Sequence, residues 1–325
     1  MYGKAFAPEY QGALTTLSVN APLADVLAAG TEQMQEAVRA GRTAEAARTG
    51  LAVAEAHRRL GQVREAERAW KASYRTAREA GDLAGMAWAL WSGGTLARQR
   101  GAFPLARRLL ALAAELGEQA GDVVVRGYSL AGLDEARKRG EARHTVWALE
   151  GIAQMRRNTG QYDSAYALFA EAAEISARAD DRRGHAWALR GLADVVSVRD
   201  GDTERALSLL SQAEATCREM KLKSALAYNL KMRGNVFYRA GRYAEACDLY
   251  RDALAEFREM TEPRGETLAR LGLAKALARL GGDRAATAAE LAELARLTER
   301  IGLRHAREMV ARAQAEFVPD GEVSA

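Results

Sequence analysis

Small and large apolar residues recur along this chain at helical spacing, and short polar marks built on glycine interrupt them at regular intervals. The pattern predicts helices near 23–40, 43–60, 63–80, 83–100, 103–119, 122–139, 141–159, 162–179, 183–199, 203–219, 222–240, 243–259, 264–280, 284–301 and 303–316. The longer segments hold about 18 residues, hence roughly 27 Å of helix each. Almost no run shows the β-branched alternation of a strand, so the chain reads as all-α.

The marks share a phrase, Gly-x-x-x-x-Ala. It stands at Gly61–Ala66, Gly101–Ala106, Gly160–Ala165, Gly201–Ala206, Gly241–Ala246 and, degraded to GGDRAA, at Gly281–Ala286. Subtracting residue numbers gives glycine-to-glycine steps of 40, 59, 41, 40 and 40. A period in this range marks a stacked array in which each repeat needs a neighbour to bury its apolar face. The glycine belongs where a helix ends and the chain turns back through a left-handed conformation. The alanine follows on the next helix, where a larger side chain would wedge the pair apart.

From Gly234 to Leu254 the chain reads GNVFYRAGRYAEACDLYRDAL, with Gly234, Phe237, Gly241, Tyr243, Ala246, Tyr250 and Ala253 at the small and large positions. The wording resembles the tetratricopeptide repeat (TPR). The resemblance extends to Ala153, Gly160, Tyr162, Ala165, Phe169 and Ala172, and to Gly94, Gly101, Phe103, Ala106, Leu110 and Ala113. It covers most of 41–301, more loosely at 41–80 and 181–220 and without its aromatics at 261–301. A period near 40, against about 34 for the common TPR, places it with the longer-helix variety. The resemblance implies a right-handed superhelical solenoid of antiparallel helix pairs.

The step of 59 is one helix short of two repeats. Segment 121–140 begins like a first helix, GDVVVRGYSLAGL, and ends like a second, DEARKRG, so it is either a lone helix joining two subarrays or, the favoured reading, a fused, shortened unit. The expected organisation is an irregular segment at 1–20, TPR-like helices at 21–120, the atypical unit at 121–140, a second array at 141–302, a capping helix at 303–316 and a flexible tail at 317–325.

Composition narrows the function. Arginine and lysine number 47 against 43 acidic residues, for a net charge of +4, and the two signs are interspersed. The densest basic clusters are Arg107-Arg108, Arg156-Arg157, Arg182-Arg183 and Arg137-Lys138-Arg139. A nucleic-acid surface calls for a basic stripe or a reading motif, which disfavours that partner. The excess of arginine over lysine fits a GC-rich bacterial gene. Cys217 and Cys247 build no disulfide framework. With no segment approaching about 18 apolar residues, no membrane partner is expected and the cytoplasm is the default location.

The TPR resemblance implies an inner face lined mainly by the first helix of each pair. Carried over, that face presents Trp88, Trp91, Thr95 and Arg98, then Trp147, Glu150, Gln154, Arg157 and Asn158, then Trp187, Arg190 and Asp194, then Tyr228, Lys231, Asn235, Tyr238 and Arg239. The aromatics form a ladder through AWAL at Ala87–Leu90, VWAL at Val146–Leu149, AWAL at Ala186–Leu189 and AYNL at Ala227–Leu230. Two readings stay open: the rings pack between repeats, or they line a groove. In the second, Arg98, Arg157, Arg190, Lys231 and Arg239 supply positive charge, arginine for carboxylates and asparagine for extended backbone. Glu150 and Asp194 work against the charge.

Catalytic residues are not expected. His57, His144, His185 and His305 are scattered, with neither HExxH nor Cys-x-x-Cys spacing, and no phosphate loop is present. No metal or cofactor is expected. The expected function is a non-enzymatic, regulatory scaffold that binds a protein or peptide segment, with an acidic segment the first to test. The alternative is a self-associating sensor module of a transcriptional or signalling system; the oligomeric state is not legible.

Overall fold

A computed structural model describes residues 22–122 and 142–318, and among them are fourteen α-helices, joined within each of these two stretches by turns of three or four residues. They are α1 (Leu23–Arg39), α2 (Thr43–Arg59), α3 (Val63–Glu79), α4 (Leu83–Gln99), α5 (Phe103–Gln119), α6 (Ala142–Asn158), α7 (Tyr162–Arg178), α8 (Arg182–Arg199), α9 (Thr203–Glu219), α10 (Lys223–Arg239), α11 (Tyr243–Glu259), α12 (Pro263–Arg279), α13 (Arg284–Arg300) and α14 (Arg304–Phe317). Among the described residues there is no strand. The all-α stack of adjacent helix pairs is the expected fold class. The atypical unit expected at 121–140 lies, but for Gly121 and Asp122, outside the described residues, as do the segment at 1–20 and the tail beyond Val318.

Local chemistry sets the helix ends. Gly61, Gly101, Gly160, Gly201, Gly241 and Gly281 all take φ between 66° and 78°. At Gly241 the reversal is closed by Gly241 N–H to the Tyr238 carbonyl at 3.2 Å and Arg242 N–H to the Phe237 carbonyl at 2.9 Å. This pairing satisfies carbonyls that a helix end leaves open. Three equivalent turns place a side chain in the left-handed region instead: Asp180 (φ 51°), Lys221 (φ 55°) and Thr261 (φ 49°). A β-branched residue is the most strained of these. Thr261→Gly is therefore expected to gain about 0.5–1 kcal/mol and Gly241→Val to lose about 1–2 kcal/mol, read as opposite shifts in urea midpoint.

The alanine of the phrase is buried at Ala66, Ala106, Ala165, Ala206 and Ala246. In the degraded copy it is not: Ala286 is exposed and Thr287 takes the buried place. Gly282 lengthens that turn by a residue, so the following helix starts three positions after the left-handed glycine rather than two.

Large residues of second helices fill space left by glycines of first helices. A Cβ on Gly191 would lie 2.3 Å from the Phe169 ring. The Tyr250 ring is clasped between Gly234 and Gly272, whose added Cβ atoms would lie 2.8 and 2.5 Å from it.

The chain divides within α6 into two units, residues 1–151 and 152–325. In the first, first helices α2 and α4 lie side by side. In the second, α8 packs on α10, α10 on α12 and α12 on α14. Apolar clusters join consecutive pairs, as with Ala193, Val196, Ala206, Leu210 and Val236. At the end of this unit Val310 and Ala313 of α14 cover Leu271, Leu291 and Leu294, as a terminal helix must.

Candidate binding face

The ladder of aromatic residues has mixed fates. Trp88 is 0% exposed, its indole N–H donates to Asp122 Oδ2 at 2.8 Å, and its ring meets Trp91 edge-on with centroids 5.5 Å apart. It is a packing residue and presents nothing to a partner. Trp88→Phe removes a buried hydrogen bond and ring volume, with an expected loss of about 1–3 kcal/mol in urea unfolding. Trp91 is half-buried, Arg98 is exposed, Trp147 is 40% exposed and Glu150 is half-buried. These five belong to the first unit. In the second, Trp187 is half-buried with Arg183 4.5 Å above its ring, and Tyr228 packs edge-on against Phe257 at 4.8 Å.

The first-helix face of the second unit gathers the polar candidates. Asp194 of α8 is 1% exposed and receives two guanidinium groups, Arg157 of α6 and Arg239 of α10, the latter at 2.8 Å. Arg157 Nη2 also donates to Asn158 Oδ1 at 2.7 Å, with the amide of Gln154 alongside, and Arg239 Nη1 donates to Ser197 Oγ at 3.3 Å. Burial lowers the pKa of both guanidinium groups, and at Arg157 the charges of Arg239 and Arg264 add to it. Both stay charged, as arginine does.

Lys231 and Asn235 share a stripe of α10 with Arg239, at positions i, i+4 and i+8. Lys231 is half-buried and has no ion pair or hydrogen bond among the described residues. Burial, with the positive charges of Arg157, Arg239, Arg264 and Arg190, lowers its pKa to about 7. Asn235 accepts from the Tyr250 hydroxyl at 2.9 Å, and its amide nitrogen faces only the Met232 sulfur at 3.6 Å, a weak acceptor.

Flanking the cluster, Arg190 lies 5.8 Å over the Tyr228 ring, whose hydroxyl reaches Glu262 Oε1 at 3.4 Å. Tyr238 carries Lys275 at 4.8 Å over its ring and accepts from Arg279 at 3.5 Å. Arg264 and Ser197 escaped the sequence reading, which took Tyr250 only as a packing residue. Arg264 was within reach, because it stands second in α12 as Arg183 stands second in α8, a phase that attention to mid-helix positions passes over.

The first unit handles charge differently. Its buried Glu55 accepts from Ser92 Oγ at 2.6 Å and pairs with Arg58 at 2.8 Å, while Arg58 Nη1 donates to Gln99 Oε1 at 2.9 Å. That is one acid for one base. The second unit sets one acid, Asp194, between two bases and adds a lysine, Lys231, on the same helix face as Arg239.

Other chemistry is sparse. Among the described residues no three His, Cys, Asp or Glu gather closely enough to hold a metal ion. Cys217 and Cys247 are buried free thiols whose pKa values burial raises. His185 Nδ1 lies 3.0 Å from the Ala173 carbonyl. No described helix is long and apolar enough to cross a membrane.

Residues 144–219 match the family model described as tetratricopeptide repeat. No curated protein matches the chain. Among solved structures it is similar to a Rap protein complexed with Competence and Sporulation Factor, at TM-score 0.54 and 13% identity over 92% of this chain and 84% of that one. Yeast Tom70 gives a TM-score of 0.46 at 15% identity, over 79% of this chain and 62% of that one. A signal-transduction ATPase with a tetratricopeptide repeat sensor from Pyrococcus horikoshii gives 0.48 at 13%, over 88% and 49%.

Proposed function

We propose that this chain, a repeat protein of the tetratricopeptide type, is a non-enzymatic adaptor that binds an acidic peptide or protein segment on the first-helix face of its second unit. The observation that carries the reading is the pairing of one buried carboxylate, Asp194, with two guanidinium groups beside Lys231, which has no acidic partner among the described residues. Stacked repeats hold these groups on rigid helices, so little ordering is left for binding to supply. Arg157 and Arg239 supply paired donors for carboxylates, Asn158 and Asn235 supply amides for an extended backbone, and Trp187 and Tyr228 give apolar flanks. The similar Rap structure holds a bound factor, which agrees with a stack of this kind receiving another molecule.

Calorimetric titration with a glutamate-rich peptide tests the reading. Arg157→Ala and Arg239→Ala are each expected to weaken binding at least tenfold, about 1.4 kcal/mol, with unchanged helicity. Affinity should also fall as salt rises. Equal affinity for a neutral peptide of the same length, or full affinity in both variants, would remove the proposal.

A further inference from the structure

We propose that the cluster around Lys231 is a subsite for a doubly charged phosphoryl group, carried by a phosphorylated residue of the bound segment. The inference rests on the acidic-segment reading above and narrows the chemistry of its anchor. Two observations support it independently.

The first is the charge balance. Arg157 and Arg239 share Asp194, and Lys231, on the same stripe of α10 as Arg239, has no hydrogen bond or ion pair among the described residues, so two guanidinium groups and a lysine face one acid. A single carboxylate would offset one unit of that excess. A phosphate monoester brings a charge of about −1.5 to −2 and three acceptor oxygens at neutral pH. Crowded guanidinium and ammonium groups gain more from such a ligand, since each added negative charge also relieves their mutual repulsion.

The second is the polarity of Asn235. Its oxygen accepts from the Tyr250 hydroxyl at 2.9 Å, and its amide nitrogen has only the Met232 sulfur at 3.6 Å among the described residues. Lys231 and Arg239, one turn to either side, can only donate. A row on α10 led by two obligate donors suits a group that only accepts. An extended backbone, which alternates donors and acceptors, would leave its N–H groups unmatched there.

Three decapeptides identical except for a central serine, glutamate or phosphoserine, titrated into the full chain at pH 7, decide the matter. The phosphoserine peptide is expected to bind at least tenfold tighter than the glutamate peptide, and inorganic phosphate should displace it. Lys231→Ala and Asn235→Ala should each cut the phosphoserine-to-glutamate ratio at least fivefold with helicity unchanged. Tyr250→Phe, which keeps the ring and frees the Asn235 oxygen, should lower the same ratio. A ratio near one, or a ratio that survives Lys231→Ala, overturns the subsite. If the glutamate peptide still binds through Arg157 in that case, the acidic-segment reading stands alone; if no peptide binds, both fall.

Discussion

Asp194→Ala is expected to lower the stability of the 152–325 unit by about 3 kcal/mol, seen as an earlier urea transition of that unit. Asp194 is 1% exposed and is the shared acceptor of Arg157 and Arg239. Removing it leaves two guanidinium groups side by side in a half-buried place, where burial already disfavours their charge and where Arg239 acts unfavourably on Arg157. The effect sits at the lower end of the range for broken buried pairs, because Arg157 and Arg239 are still 23% and 31% exposed. Added salt should recover part of the loss by screening the two charges. Arg239→Met in the same background should recover more, since it removes the repulsion and keeps an apolar stem. If Asp194→Ala unfolds like the parent chain, the ion triad contributes nothing to the fold.

The second large effect is on pH. The Lys231 pKa lies at about 7 in the folded chain, below its ordinary value of 10.5. The charges that act on it are Arg157 on α6, Arg190 on α8, Arg239 on α10 and Arg264 on α12, with Asp194 of α8 joined to Arg157 and Arg239 and the Tyr250 hydroxyl of α11 joined to neighbouring Asn235. Between pH 7 and about 10 the unfolded chain holds a proton that the folded chain has released, so stability rises with pH across that window. The burial cost of the charged lysine is present in full below pH 7 and fades as the pH climbs. Lys231→Met should therefore be more stable than the parent at pH 7, with the advantage shrinking toward pH 10. Binding runs the other way. An anionic ligand needs the ammonium, so affinity should be greatest at or below pH 7 and fall by up to tenfold per pH unit above it. Calorimetry from pH 6 to 9 checks this, and a flat profile in the parent would remove Lys231 from the binding event.

The fold was legible because its rules are short-range. Glycine at a helix end, alanine five residues later and a bulky residue facing a small one are readable from neighbouring letters, and α10 and α11 fall within a residue or so of their expected spans. The one misreading of register shows the same physics: a single extra residue, Gly282, moves the buried position from Ala286 to Thr287.

The candidate site was legible in its parts but not in its arrangement. AWAL at Ala87–Leu90 and VWAL at Val146–Leu149 look alike, yet Trp88 is sealed in and Trp147 is open. Burial of a ring depends on what the chain brings against it, here Asp122, thirty-four residues on. Asp194 read as a weakness in a positive face; in place it organises that face, because Arg157 and Arg239 converge on it from two other helices.

Sequence alone therefore determined the all-α class, the repeat length, the helix ends and the set of charged and aromatic residues on first helices, since each follows from backbone preference and periodic burial. Only the tertiary structure decided which charges are spent on one another and which are left over. Ion pairing acts through space between helices 37 and 45 residues apart in the chain, and no local pattern encodes which partners will meet.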